Sequence, residues 1–172
     1  MTSPWDYDVP MTTVIFAHGL EGRPDGTKAT ALRAAGLEVV APDARGLPLA
    51  ARIAQLEDAV SNHPGAVLVG SSYGGLAALV VADAGRPIRA VVLCAPALTL
   101  HEAAIAHPET LCVPEGVRGA VIHGVRDDVV PVEASRSLVA RCPHVELHVP
   151  DDGHELHGSM ELLVSIVKRL AG

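Results

Sequence analysis

Short apolar runs rich in Val and Ile alternate with longer amphipathic patterns along the chain. Residues 12–17 (TTVIFA), 37–41, 66–69, 88–94, 120–123 and 145–149 read as strands. Residues 27–35, 49–61, 75–84, 132–141 and 159–170 read as helices, with Gly36 and Gly85 as stop signals for the first and third. The strand runs are apolar at nearly every position, so both faces of each strand are expected to be covered. Strands of that kind separated by helices predict an α/β fold: three layers, with helices on both sides of a mostly parallel sheet. The chain has 172 residues, within the common single-domain range of ~100–200 residues, so residues 1–172 are expected to form one domain. The longest stretch outside the rhythm is 95–119, which leaves room for a minimal cap or pocket wall and no large lid.

Composition removes several function classes. The formal net charge is −7, whereas a nucleic-acid binder presents a basic face. No apolar run approaches the ~18–20 residues of a membrane span. Residues 1–11 carry Asp6, Asp8 and two prolines and show no signal-peptide pattern. Three cysteines, Cys94, Cys112 and Cys142, have no metal-like spacing, and so small an odd number fits a reducing cytoplasm better than a disulfide framework. One bridge, such as Cys112 to Cys142, stays open. Aromatic residues make up 2% of the chain, so the core must be aliphatic.

In a parallel sheet, chemistry sits beyond the carboxyl ends of the strands. After 66–69 comes Gly70-Ser71-Ser72-Tyr73-Gly74-Gly75, a G-x-S-x-G pattern centred on Ser72. A strand followed by an apolar helix is the setting in which such a turn thrusts a serine hydroxyl outward, with glycines on both sides to avoid Cβ clashes. A Gly-rich turn in which Ser71 or Ser72 caps the helix is the plainer reading. After 12–17 comes His18-Gly19-Leu20-Glu21-Gly22. An acyl-transfer site needs two backbone donors for an oxyanion, and Leu20 and Tyr73 are the candidates. His18 reads as a satisfied loop histidine that shapes this turn.

After 120–123 comes Gly124-Val125-Arg126-Asp127-Asp128. Asp127 and Asp128 are both candidates for an acid that orients a histidine, with Asp128 also suited to a turn. After 145–149 comes Pro150-Asp151-Asp152-Gly153-His154-Glu155-Leu156-His157. His154 follows a glycine and is the candidate base, with His157 as competitor nearer the next helix. Asp151 and Asp152 read either as electrostatic neighbours of His154 or as loop contacts. Asp43 reads as a turn residue paired with Arg45, and Asp25 as the start of the first helix. Three strand ends thus supply Ser72, Asp127 and His154, in the chain order serine, acid, histidine.

The segments HGLEG, GSSYGG, HGVRDDVVP and DGHEL resemble the α/β-hydrolase family in sequence and order, over nearly the whole chain. That resemblance implies a three-layer α/β-hydrolase fold and places the family's acid on Asp127 and its histidine on His154. The short length, the GSSYGG turn and the HGLEGRPDGTKATAL start are similar to small, lidless bacterial esterases of the YqiA kind. This narrower resemblance implies activity on short-acyl esters or thioesters.

The expected chemistry is a serine esterase acting on a small-molecule ester, without metal or organic cofactor, nucleic acid or membrane. The histidines lack a metal-site pattern: His101 and His107 are six apart and no His-Glu-x-x-His occurs. A thioesterase or amidase on the same three residues is the first alternative, and a non-catalytic ligand-binding protein of this fold the second. Within 95–119, Leu98, Leu100, Ile105 and Leu111 are expected more in the core than against substrate. Oligomeric state has no signature in the sequence.

Overall fold

The computed structural model describes residues 11–102, 104–105 and 107–172. The stretch read as lacking a signal peptide falls, but for Met11, outside these residues. Among these described residues, six strands form one sheet: β1 (Val14–Ala17), β2 (Val39–Val40), β3 (Ala66–Ser71), β4 (Ile88–Cys94), β5 (Arg118–Ile122) and β6 (Val145–His148). Their order is β2-β1-β3-β4-β5-β6, and every neighbouring pair is parallel. The sheet is covered by the helices α1 (Thr27–Ala34), α2 (Leu49–Asn62), α3 (Tyr73–Asp83), α4 (Val132–Arg141) and α5 (Met160–Ala171).

The strand residues sort by alternation. Ile15, Leu68, Val91, Leu93 and Val121 pack with α2, α3 and α4 on one face. Val14, Phe16, Val67, Val69, Val92 and Ile122 pack with Ala29 and Leu32 of α1 and with Leu163, Ile166, Val167 and Leu170 of α5 on the other. Each fully buried Val, Leu or Ile contributes about 1.5–3 kcal/mol relative to exposure, so two complete aliphatic layers stand in for the missing aromatics. The second strand is shorter than expected: only Val39 and Val40 pair, at the sheet edge where a single neighbour, β1, supplies hydrogen bonds.

Register places the chemistry. Ala17 pairs with Gly70, Ser71 with Cys94, Cys94 with Ile122, and Ile122 with His148. The carboxyl ends of β1, β3, β4, β5 and β6 are therefore level, and the loops that follow them emerge along one edge. Between β1 and β3 the chain leaves in opposite directions, to β2 on one side and β4 on the other, which opens a crevice there.

The excursion between β4 and β5 is anchored to the core by its apolar residues. Leu98, Ile105, Leu111 and Val113 are buried against the α2–α3 face, and only Leu100 of the expected apolar set is exposed. Cys112 and Cys142 are joined in a disulfide with Cα atoms 6.1 Å apart. The bridge fastens this excursion to the end of α4, where Arg141 Nε also donates to the Leu111 carbonyl at 2.8 Å. Cys94 is free and buried, and burial pushes its thiol up to about 11. Among the described residues, no helix is long and apolar enough to cross a membrane.

Candidate active site

The turn from β3 into α3 is built by what its glycines omit. A Cβ on Gly70 would sit 2.6 Å from the Gly74 carbonyl oxygen and 2.7 Å from Ala78 Cβ. A Cβ on Gly74 would run into the carbonyls of Ala17 and His18. These contacts let the helix start directly against β1. Ser72 takes the strain: its φ is +53°, a value rare for residues with a side chain. Its backbone is held on three sides, since its N–H donates to Cys94 O at 2.9 Å and its carbonyl accepts from Leu76 and Ala97.

Ser72 Oγ lies 3.0 Å from His154 Nε2, and His154 Nδ1 lies 2.8 Å from Asp127 Oδ2. With Asp127 ionised, Nδ1 carries the proton and donates to it, which leaves Nε2 free to accept the serine proton. Asp127 Oδ1 accepts from the Val129 and Val130 N–H groups at 2.9 and 2.8 Å. Burial pushes the Asp127 carboxyl up, but these N–H donors and His154 outweigh it and hold the group below the usual carboxylate value. Asp128 is exposed on the adjacent turn.

The loop bearing His154 is laced by Asp152. Its carboxylate accepts from the N–H groups of Gly153 and Gly158 at 2.8 and 2.9 Å and from the Ser159 hydroxyl at 2.7 Å. Leu156 is buried at φ +55°, so its packing holds a strained backbone two residues beyond the histidine. Asp151 instead faces outward to Arg126 at 2.6 Å. His157 is exposed at the cavity rim and makes no hydrogen bond to Ser72.

The loop after β1 lies against the serine. A Cβ on Gly19 would be 3.5 Å from Ser72 Cβ. Among the described residues, neither the Leu20 nor the Tyr73 N–H donates to a backbone carbonyl. His18 is buried, donates through Nδ1 to Gly19 O at 2.8 Å and accepts at Nε2 from the Ala44 N–H at 3.0 Å. Both its nitrogens are used in shaping the loop. Asp43 pairs with Arg45 at 2.6 Å, and this exposed partner holds the carboxyl down to about 2.

Two residues that pattern reading passes over join this site. Arg52, on α2, is 2% exposed and donates to the carbonyls of Leu47 and His18, both at 3.0 Å. Its guanidinium carbon is 4.9 Å from the centre of the Tyr73 ring, whose hydroxyl donates to Glu102 at 2.5 Å. Burial, then this hydrogen bond, pushes the Tyr73 phenol up to about 12. His123, at the end of β5, is fully buried and accepts at Nδ1 from Ser135 Oγ at 2.7 Å. Its Nε2–H donates to Val130 O at 2.9 Å and lies 3.1 Å from Asp127 Oδ2. An arginine inside a helical pattern reads as surface, and a histidine closing a strand reads as core. Only the tertiary packing shows that the arginine is buried and that the histidine reaches Asp127.

A cavity of about 700 Å³ opens beside Ser72, lined by Leu20, Tyr73, Leu100, Val129 and His154 among others. It can hold a small organic molecule with a carbonyl against Ser72.

The fold is that of the α/β hydrolases, in a small form with little cap. The chain superposes on a protein of the alpha/beta hydrolase superfamily from Xanthomonas campestris pv. campestris with a TM-score of 0.77 and 23% identity, covering 94% of this chain and 97% of that one. It is similar to the alpha/beta hydrolase domain-containing protein 10 from mouse, with a TM-score of 0.75, 17% identity and coverage of 94% and 89%. It is also similar to Est1E from Butyrivibrio proteoclasticus, with a TM-score of 0.74, 20% identity and coverage of 94% and 88%. No protein-family model and no curated protein sequence matches the chain.

Proposed function

We propose that this chain, as one domain, is a serine hydrolase that cleaves short-acyl carboxylic esters. The observation that carries the reading is the unbroken hydrogen-bond line from Ser72 Oγ through His154 to Asp127, at 3.0 and 2.8 Å. Ser72 is held at φ +53°, a strained conformation of the kind that clusters at active sites.

Ser72 Oγ attacks the ester carbonyl carbon while His154 Nε2 takes its proton. The carbonyl electron pair moves onto oxygen, and the N–H groups of Leu20 and Tyr73 stabilise that oxyanion, each donor contributing roughly 3–4 kcal/mol in the transition state. The pair then returns, the C–O bond to the alcohol breaks, and His154 gives its proton to the departing oxygen. Water repeats the attack on the acyl-Ser72 ester, with His154 again as base, and releases the acid. Asp127 holds the histidine in the Nδ1–H tautomer and stabilises the imidazolium. The chemistry uses no cofactor.

The shallow excursion after β4 leaves the mouth open, which suits small dissolved esters. The test is hydrolysis of p-nitrophenyl acetate and longer homologues by the wild type and Ser72→Ala, with a fluorophosphonate label mapped by mass. Activity that falls with chain length, disappears in the variant and labels at Ser72 supports the reading. The absence of both turnover and labelling would overturn it.

A further inference from the structure

Lys28 is the second residue of α1 and is 7% exposed. Its Nζ donates to the Glu155 carbonyl at 2.8 Å, one residue beyond His154. Among the described residues, no carboxylate lies within 4.0 Å of it. An ammonium has three N–H donors, and one neutral carbonyl compensates neither the other two nor the charge. Buried cations are ordinarily paired. This one lines the same cavity as Ser72 and His154.

The start of α1 adds to the effect. Gly26 caps it without a side chain, no acidic residue occupies its first turn, and Gly26 and Thr27 also line the cavity. Free N–H groups and the positive end of the helix therefore face the same space. The other charges at the cavity do not neutralise Lys28: Glu21 and Glu155 are exposed in solvent, and Arg23 is paired with Asp25 at 3.1 Å. Around this cationic floor stand exposed apolar side chains, Leu20 (60%), Leu100 (43%) and Val129 (64%).

Resting on the ester-hydrolase reading, we infer that Lys28 and the first turn of α1 form a carboxylate-binding subsite, so that the ester cleaved carries a free carboxylate a few carbons from the scissile bond. The carboxylate completes the pairing of the ammonium, and the carbon chain lies against Leu20, Leu100 and Val129. The same chemistry is reached from a half-ester of a dicarboxylic acid, with the charge on the acyl part, or from an ester of a hydroxy acid, with the charge on the alcohol part.

Two substrate pairs separate these sources. p-Nitrophenyl hydrogen glutarate is compared with p-nitrophenyl valerate, and 4-acetoxybenzoate with 4-methylphenyl acetate, in wild type, Lys28→Met and Lys28→Arg. In at least one pair the wild type should favour the carboxylate by about tenfold or more in kcat/KM, the scale of a hydrogen bond to a charged group. Lys28→Met should erase that ratio and Lys28→Arg should keep part of it. Glutarate should also inhibit wild-type hydrolysis of p-nitrophenyl acetate competitively, and more strongly than valeramide does. This measurement decides the matter if Lys28→Met does not fold. If Ser72 labels and neutral esters turn over, but neither pair favours the carboxylate and glutarate does not inhibit, the subsite is wrong while the hydrolase reading stands. If no ester turns over and Ser72 does not label, both fall.

Discussion

His123 Nε2 lies 3.1 Å from Asp127 Oδ2, the oxygen that also accepts from His154. A neutral imidazole N–H beside a carboxylate draws on its charge and fixes its plane. Removing it with His123→Phe should lower kcat about tenfold, the scale of one lost hydrogen bond to a charged group. Asp127 then directs more of its charge at His154 and favours the imidazolium. The acid limb of the kcat/KM profile should therefore move to higher pH. A lower Tm with an unmoved limb would mean that His123 serves packing alone.

Asp127→Asn leaves the shape and removes the charge. The amide can present an N–H to His154 Nδ1 and so favour the wrong tautomer. A fall of about 10⁴-fold in kcat is expected, as when a triad acid is replaced by its amide. Ser72→Ala should fall at least as far, measured with p-nitrophenyl acetate. Equal activity in Asp128→Asn and wild type is the matching control, since Asp128 is exposed.

Gly74 and Gly153 should respond oppositely to alanine. A Cβ on Gly74 collides with the backbone of β1, whereas nothing lies within 4 Å of one on Gly153. Gly74→Ala should cost at least 2–3 kcal/mol, the order seen for overpacked cores, and should lower activity by separating Leu20 from Tyr73. Gly153→Ala should stay within about 0.5 kcal/mol, as surface changes usually do. Urea unfolding of the two variants checks the contrast.

Acid should weaken the fold through its carboxylates. Asp127 and Glu146 both titrate below their ordinary values, Asp127 because its N–H donors and His154 outweigh burial and Glu146 because Arg169 donates to it. The folded protein therefore binds fewer protons than the unfolded chain in that range. The stability this supplies is full above about pH 5 and is lost as pH falls through the folded values. Urea midpoints from pH 6 to 3 should decline, and less steeply in Asp127→Asn. A flat wild-type profile counts against this account.

Reduction of the Cys112–Cys142 bridge frees a loop with a separation of 30 residues. Loop-closure entropy puts its contribution at roughly 3–4 kcal/mol. Differential scanning calorimetry with and without dithiothreitol should show a fall in Tm of about 10 °C. An unchanged Tm would place the bridge outside the stability of the fold.

Much of this was readable from residue order. Val- and Ile-rich runs mark β1, β3 and β4 because strands buried on both faces need apolar residues at every position. The turn at Ser72 is readable because the glycines at 70 and 74 are required by backbone contacts that no other residue survives. The edge strand β2 was overextended, since pattern alone does not tell how many residues find a neighbour. Arg52, Lys28 and His123 were missed for one shared reason. Each owes its place to partners outside its own element, Arg52 and Lys28 to carbonyls of distant segments and His123 to the loop and helix that follow β5, and nothing within a helix or strand announces that. Three cysteines permit three pairings, and only the approach of the excursion to α4 selects one.

The stretch between β4 and β5 is anchored by Leu98, Ile105, Leu111 and the disulfide, so it is not built to swing across the mouth of the cavity. On the proposed ester-hydrolase reading, so fixed a rim gives an oil–water boundary nothing to prise open. Its rate should follow the concentration of dissolved ester smoothly through the solubility limit, with no jump when droplets form.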